Sequence, residues 1–168
     1  MQDLAVRLKR HSDGSASLTC TRADGSVTWQ RQQGTLGAVF PPHDLTHYAV
    51  ETTLGYRHAF FGLVADGWDI SDFAAPWPRG AVPGEAREVE LLVGLFDGMR
   101  RDKDHWTAAE FNEQMRELAT DAKYAGIMNL RTLSAEDIER VRAVRNELLT
   151  RWWALAPGEA MELRFGAT

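Results

Sequence analysis

Apolar and polar residues alternate along residues 4–32 with the two-residue period of strands. Leu4, Val6 and Leu8 share one face against Arg7 and Lys9, and Ala16, Leu18 and Cys20 repeat the arrangement. Val27 and Trp29 mark the inward face of a third run. Asp13-Gly14 and Asp24-Gly25 separate the runs, and Asp-Gly is a dipeptide favoured in tight hairpins. The pattern predicts a three-stranded antiparallel meander, followed by the polar connection Gln30 to Gly37. A first helix is expected to start at Pro42 or His43, where proline pre-sets φ and the first turn needs no donor, and to stop at Gly55. Arg57 to about Ala65 reads as a second, more apolar helix that stops near Gly67.

Gly67 to Gly84, rich in Trp, Pro and Gly, is expected to be an irregular segment that either covers a functional site or lies on the surface anchored by its tryptophans. Val89, Leu92, Val93 and Phe96 recur at helical spacing and predict a third helix from Glu85 to about Arg101. Thr107 with Glu110 forms a capping box for a fourth, with Phe111, Met115 and Leu118 as its apolar stripe. Ser134 opens a fifth that runs to Trp153, with Ile138, Val141, Val144, Leu148 and Trp152 inward. Beyond Pro157-Gly158 the two-residue period returns in Met161, Leu163 and Phe165, a strand expected to pair with the meander. The expected fold is α+β, a small antiparallel sheet packed against about five helices, in a single domain spanning residues 1–168.

Composition narrows the function more than the fold. The net charge is −5 and no basic run exceeds Arg100-Arg101, so the electrostatic footprint of a nucleic-acid binder is missing. No window is long and apolar enough to span a membrane, and the N-terminus lacks the apolar stretch of a signal peptide, so the expected location is cytoplasmic. The single cysteine, Cys20, excludes an internal disulfide and a cysteine-rich zinc site, and reads as an inward strand residue. No G-x-S-x-G, G-x-x-x-x-G-K-[ST] or G-x-G-x-x-G occurs, which removes support for a nucleophile elbow, a P-loop and a dinucleotide fold.

The candidate chemistry lies in the first helix. His43, Asp44, His47 and Glu51 stand in a stretch whose other residues from Leu45 to Leu54 include no Lys or Arg. Buried charges are generally paired or bound to metal, so this group needs partners. His43 and His47 are one turn apart, about 6 Å along the axis, which lets two imidazoles share one ion. Glu51, about 12 Å from His43 along the axis, is placed to bond His47. Candidates for a third ligand are Glu51, His58, Asp66, Asp69 and His105, and His58 is best placed if the two helices form a hairpin. Zinc suits such a donor set, with iron or manganese where carboxylates dominate. Asp44 and Glu51 are the candidate acid/base or orienting groups.

At His43-Asp44-Leu45-Thr46-His47 the chain resembles the helical zinc-protease motif with Asp in place of Glu. It is also similar to the H-D-x-x-H motif of a ubiquinone-biosynthesis protein family whose helices bind zinc. That family carries a further Glu about a dozen residues on, where this chain has Ala59 beside His58. The stretch PPHDLTHYAVETTLG resembles a family of small bacterial proteins, a likeness that brings no activity with it. Two functions follow as expectations. One is a metal-dependent hydrolase acting on a small-molecule ligand. The other is a non-catalytic binding or scaffold protein in which the same four residues form a buried hydrogen-bond network. An open cleft at His47 under the 67–84 segment favours the first, and a filled core there favours the second. The tryptophan-rich segments offer surface for a homo-oligomer.

Overall fold

A computed structural model of the chain describes residues 3–98 and 106–166. The fold is α+β, with a four-stranded antiparallel open sheet and five helices. Strands β1 (Leu4–Arg10), β2 (Ala16–Arg22) and β3 (Val27–Gln32) form the meander, and β4 (Ala160–Phe165) pairs with β1, giving the order β3-β2-β1-β4. The register sets Leu8 opposite Leu18 on one side and Met161 on the other, so apolar residues line up across three strands. The inward face of β2, β1 and β4 is therefore largely hydrocarbon. It packs on α1 (Leu36–Leu54), α2 (Phe60–Ala65) and α5 (Ala135–Ala154) through Leu45, Ala49, Phe61, Val64, Leu148 and Trp152.

A second apolar cluster joins α1 and α5 to α3 (Gly84–Gly98) and α4 (Ala108–Leu118), through Val50, Leu54, Val89, Leu92, Phe96, Phe111 and Val141. Helix α1 thus gives Leu45 and Ala49 to one core and Val50 and Leu54 to the other. That position between two cores is why its sequence lacks a solvated face. The expected caps form at Thr107 with Glu110 and at Ser134 with Asp137. The far end expected for the third helix, residues 99–101, lies outside the described residues. Among the described residues no helix is long and apolar enough to cross a membrane.

Besides the start of α2, which falls at Phe60 and not at Arg57, two local expectations are corrected. Helix α1 begins at Leu36, not at Pro42 or His43, and holds Pro41 and Pro42 inside it. The turn ahead of the prolines is built from tighter bonds of the i to i−3 type, at Leu36, Gly37 and Ala38. Gly37 sits there because a Cβ would stand 2.8 Å from the Gly14 carbonyl oxygen of the first hairpin. At the other end Gly55 closes α1 in the left-handed conformation, φ 75°, as expected. The second correction concerns β3, whose inward residues are Thr28 and Gln32, while Val27 and Trp29 face outward. Thr28 pairs with inward Cys20, and Trp29 with Thr19, so a one-residue shift flips the face. Polar partners fix that choice: Thr28 Oγ1 accepts from the Ile70 amide at 3.0 Å, and Gln32 Nε2 donates to Asp44 at 3.2 Å.

Cys20 is fully buried, and burial pushes its thiol up to about 12. Alkylation of the native chain near neutral pH is therefore expected to proceed only as fast as the structure opens. Complete labelling in denaturant, with the native protein untouched over the same time, is the expected outcome of a thiol-reagent assay. Rapid native labelling would contradict the inward placement of β2.

Candidate metal centre

The helical spacing of His43 and His47 brings their rings together at 4.8 Å between centroids, edge to face. His47 is buried and His43 partly exposed. Two turns of α3 face this edge of α1, presenting Glu90 and Asp97. Glu90 Oε1 lies 3.2 Å from His47 Nε2, and Asp97 Oδ2 lies 3.0 Å from His43 Nδ1. One ligand atom each from His43, His47 and Glu90 lie within 4.8 Å of one another, close enough to hold a metal.

Each histidine is backed by a second carboxylate. Asp97 occupies His43 Nδ1, which leaves Nε2 as the ring nitrogen open to another partner. Glu51 Oε1 stands 3.5 Å from His47 Nδ1, an ion-pair distance without a hydrogen bond, while Nε2 faces Glu90. Asp97 is held from behind. Its Oδ1 lies 2.7 Å from Thr46 Oγ1 and accepts from Arg145 Nη2 at 3.1 Å, and Arg145 Nε donates to Thr46 Oγ1 at 2.8 Å. The Pro42 carbonyl is also 2.9 Å from Thr46 Oγ1, so the single hydroxyl proton serves one of two acceptors.

The electrostatics ask for positive charge. Burial works against an imidazolium at His47, but the facing carboxylates of Glu51 and Glu90 overcome it and raise the ring to about 10. Burial raises Glu51 in turn, so one proton is held by the His47–Glu51 pair as a unit. Burial also opposes ionisation of Asp97, yet the bonds from His43 and Thr46 hold it below the usual carboxylate range. With neutral imidazoles, the carboxylates of Glu51, Glu90 and Asp97 outweigh the one guanidinium of Arg145 by two charges, and Asp44, which interacts with both histidines, adds a third when ionised. A divalent cation offsets two of these charges, and a proton on His47 offsets one.

The other residues singled out in the sequence divide. Asp44 is buried, accepts from Gln32 Nε2, and burial raises its carboxyl to about 6. Glu51, 1% exposed, spends its carboxylate on the α2 start, with Oε2 accepting from the amides of Phe61 at 3.0 Å and Gly62 at 3.2 Å. His58 is largely exposed, and its Nδ1 lies 3.5 Å from Glu85 Oε2, apart from the His43, His47 and Glu90 group. Asp66 ends α2, and Asp69 pairs with Arg22 at 3.0 Å while forming a capping box with Asp72. His11 bonds Ser17, and His105 lies outside the described residues. Sequence reading missed Glu90, Asp97, Thr46 and Arg145. A signal existed for two of them: Glu90 and Asp97 are two helical turns apart, on one side of an otherwise apolar run.

A cavity of about 730 Å³ opens beside Glu90, within the size range of small-molecule sites. Its wall comes from the 67–84 segment, at Trp77 and Val82, and from a short 3-10 turn, Ala122–Tyr124. Glu90 reaches this cavity, but neither His43 nor His47 lines it, and His47 itself stands in filled core, 3% exposed. No family model, curated protein or solved structure matches the chain.

Proposed function

We propose that this chain is a metal-dependent enzyme of hydrolytic type, with His43, His47 and Glu90 holding one divalent ion, zinc ahead of iron or manganese. The observation that carries the reading is the convergence of three ligand atoms within 4.8 Å, next to a cavity. Donors around four-coordinate zinc stand about 3.4 Å apart, so rotation of the half-exposed Glu90 side chain closes the set. Three protein ligands leave one position for water, the arrangement of catalytic zinc sites, and zinc bound there lowers the pKa of that water to about 7. Asp97 and Glu51 orient the histidines. Asp44 occupies the place that the helical zinc-protease motif gives its general base, and its raised carboxyl suits that task.

A second reading treats the same side chains as a brace. Glu51 ties α1 to the first amides of α2, and Asp97 ties α3 to α1 and α5 through Thr46 and Arg145. Cobalt(II) substitution separates the two. The hydrolase reading expects intense visible ligand-field bands from four- or five-coordinate cobalt at one ion per chain. It also expects Asp97→Asn to weaken zinc affinity about 10- to 100-fold, because the one amide oxygen cannot serve Arg145 and His43 together and the negative charge behind the ring is lost. A spectrum identical to aqueous cobalt at stoichiometric protein would leave the brace alone standing.

A further inference from the structure

The cavity beside Glu90 carries its own chemistry. Trp77, Val82 and Tyr124 supply apolar surface, and Arg87 and Lys123 supply two cations. Lys123 Nζ lies 4.6 Å from the Tyr124 ring centroid, and a guanidinium nitrogen of Arg87 donates to the Ala125 carbonyl, which anchors it at the wall. Among the described residues no carboxylate stands within ion-pair distance of either cation. Glu90 is the one acidic residue on the wall, and a metal ion would claim its charge. A protein of net charge −5 thus keeps a locally cationic cavity.

Trp77 adds an independent observation. It is the non-glycine residue with positive φ, 57°, among those described, a conformation uncommon for a bulky side chain. Its amide donates to Ala74 O at 2.9 Å, and its carbonyl accepts from Gly80 at 2.8 Å, so the loop holds it there. The ring is nevertheless half-exposed, on the cavity wall. A strained backbone that displays an indole instead of burying it fits a stacking surface for a ligand.

We infer that the cavity binds an anionic small molecule with an aromatic or extended apolar body, its carboxylate or phosphate on Lys123 and Arg87 and its body on Trp77. This rests on the metal reading for its place next to the reacting position, but not for the binding itself. The test is isothermal titration of zinc-loaded and zinc-free protein with 2-naphthoate, 2-naphthyl phosphate and uncharged 2-naphthamide. Both anions are expected to bind, the amide about tenfold or more weakly, since each lost charged hydrogen bond is worth roughly a factor of ten. The preferred anion tells carboxylate from phosphate. Lys123→Met should cut the preference over the amide about tenfold, leaving what Arg87 supplies, and leave zinc content unchanged, whereas Trp77→Ala should weaken all three ligands. Equal binding of amide and anions, or a Lys123→Met variant whose preference is undiminished, would overturn the inference. Loss of zinc binding with the anion preference intact would overturn the metal reading alone.

Discussion

Replacing Glu51 with alanine is expected to lower folding stability by about 3–5 kcal/mol, the range for stranding one partner of a buried ion pair. Three effects add. The amides of Phe61 and Gly62 lose their acceptor inside the protein, His47 loses the carboxylate at 3.5 Å, and a void opens where a fully buried side chain stood. Glu51→Gln keeps the volume and one acceptor oxygen, so its cost should fall to about 1–3 kcal/mol. Urea midpoints of the three proteins at constant slope measure both values. A Glu51→Ala change below about 1 kcal/mol would mean that the carboxylate does not hold the α1–α2 corner together.

The second large effect concerns the ion. Glu90→Ala is expected to abolish stoichiometric zinc binding while leaving the fold in place. Glu90 is half-exposed and its removal strands no backbone group, so although buried His47 Nε2 loses its 3.2 Å partner, the stability cost stays below that of Glu51→Ala. Its removal also takes away the only carboxylate among the three converging ligands, leaving two imidazoles. His47→Ala should lose zinc as well, but its burial between Glu51 and Glu90 adds a stability penalty that Glu90→Ala avoids. His58→Ala should keep the ion, because its ring sits with Glu85.

Much of this centre could be read from local spacing. The four-residue interval of His43 and His47 fixes a shared face in any helix, and Glu51 one turn further on could already be assigned to His47. Partners from α3 could not be reached in that way, because Glu90 and Asp97 lie more than forty residues from the motif. Only tertiary packing brings that stripe to α1. The choice of His58 as third ligand assumed that the helix after Gly55 folds its first residues onto the histidine pair. Instead the amides of Arg57 and His58 bond Glu85, and Glu51 holds the start of α2.

The sheet illustrates the same limit from another side. The hairpin turns and the pairing of the last strand follow from Asp-Gly and alternation, which are local signals. The face of β3 is decided by Asp44 and Ile70, which take up Gln32 and Thr28, so hydrophobicity at Val27 and Trp29 pointed the wrong way. Similarly, proline at 41 and 42 marks a helix start by propensity, yet the helix extends ahead of both through its tighter first turn.

The central claim is that His43, His47 and Glu90 hold one divalent ion. Its most direct test is elemental analysis by plasma mass spectrometry, after zinc loading and gel filtration, on wild type, Glu90→Ala and His58→Ala together. The account predicts about one zinc per chain in wild type and His58→Ala, and none in folded Glu90→Ala. Zinc retained by Glu90→Ala, or absent from wild type, would contradict it.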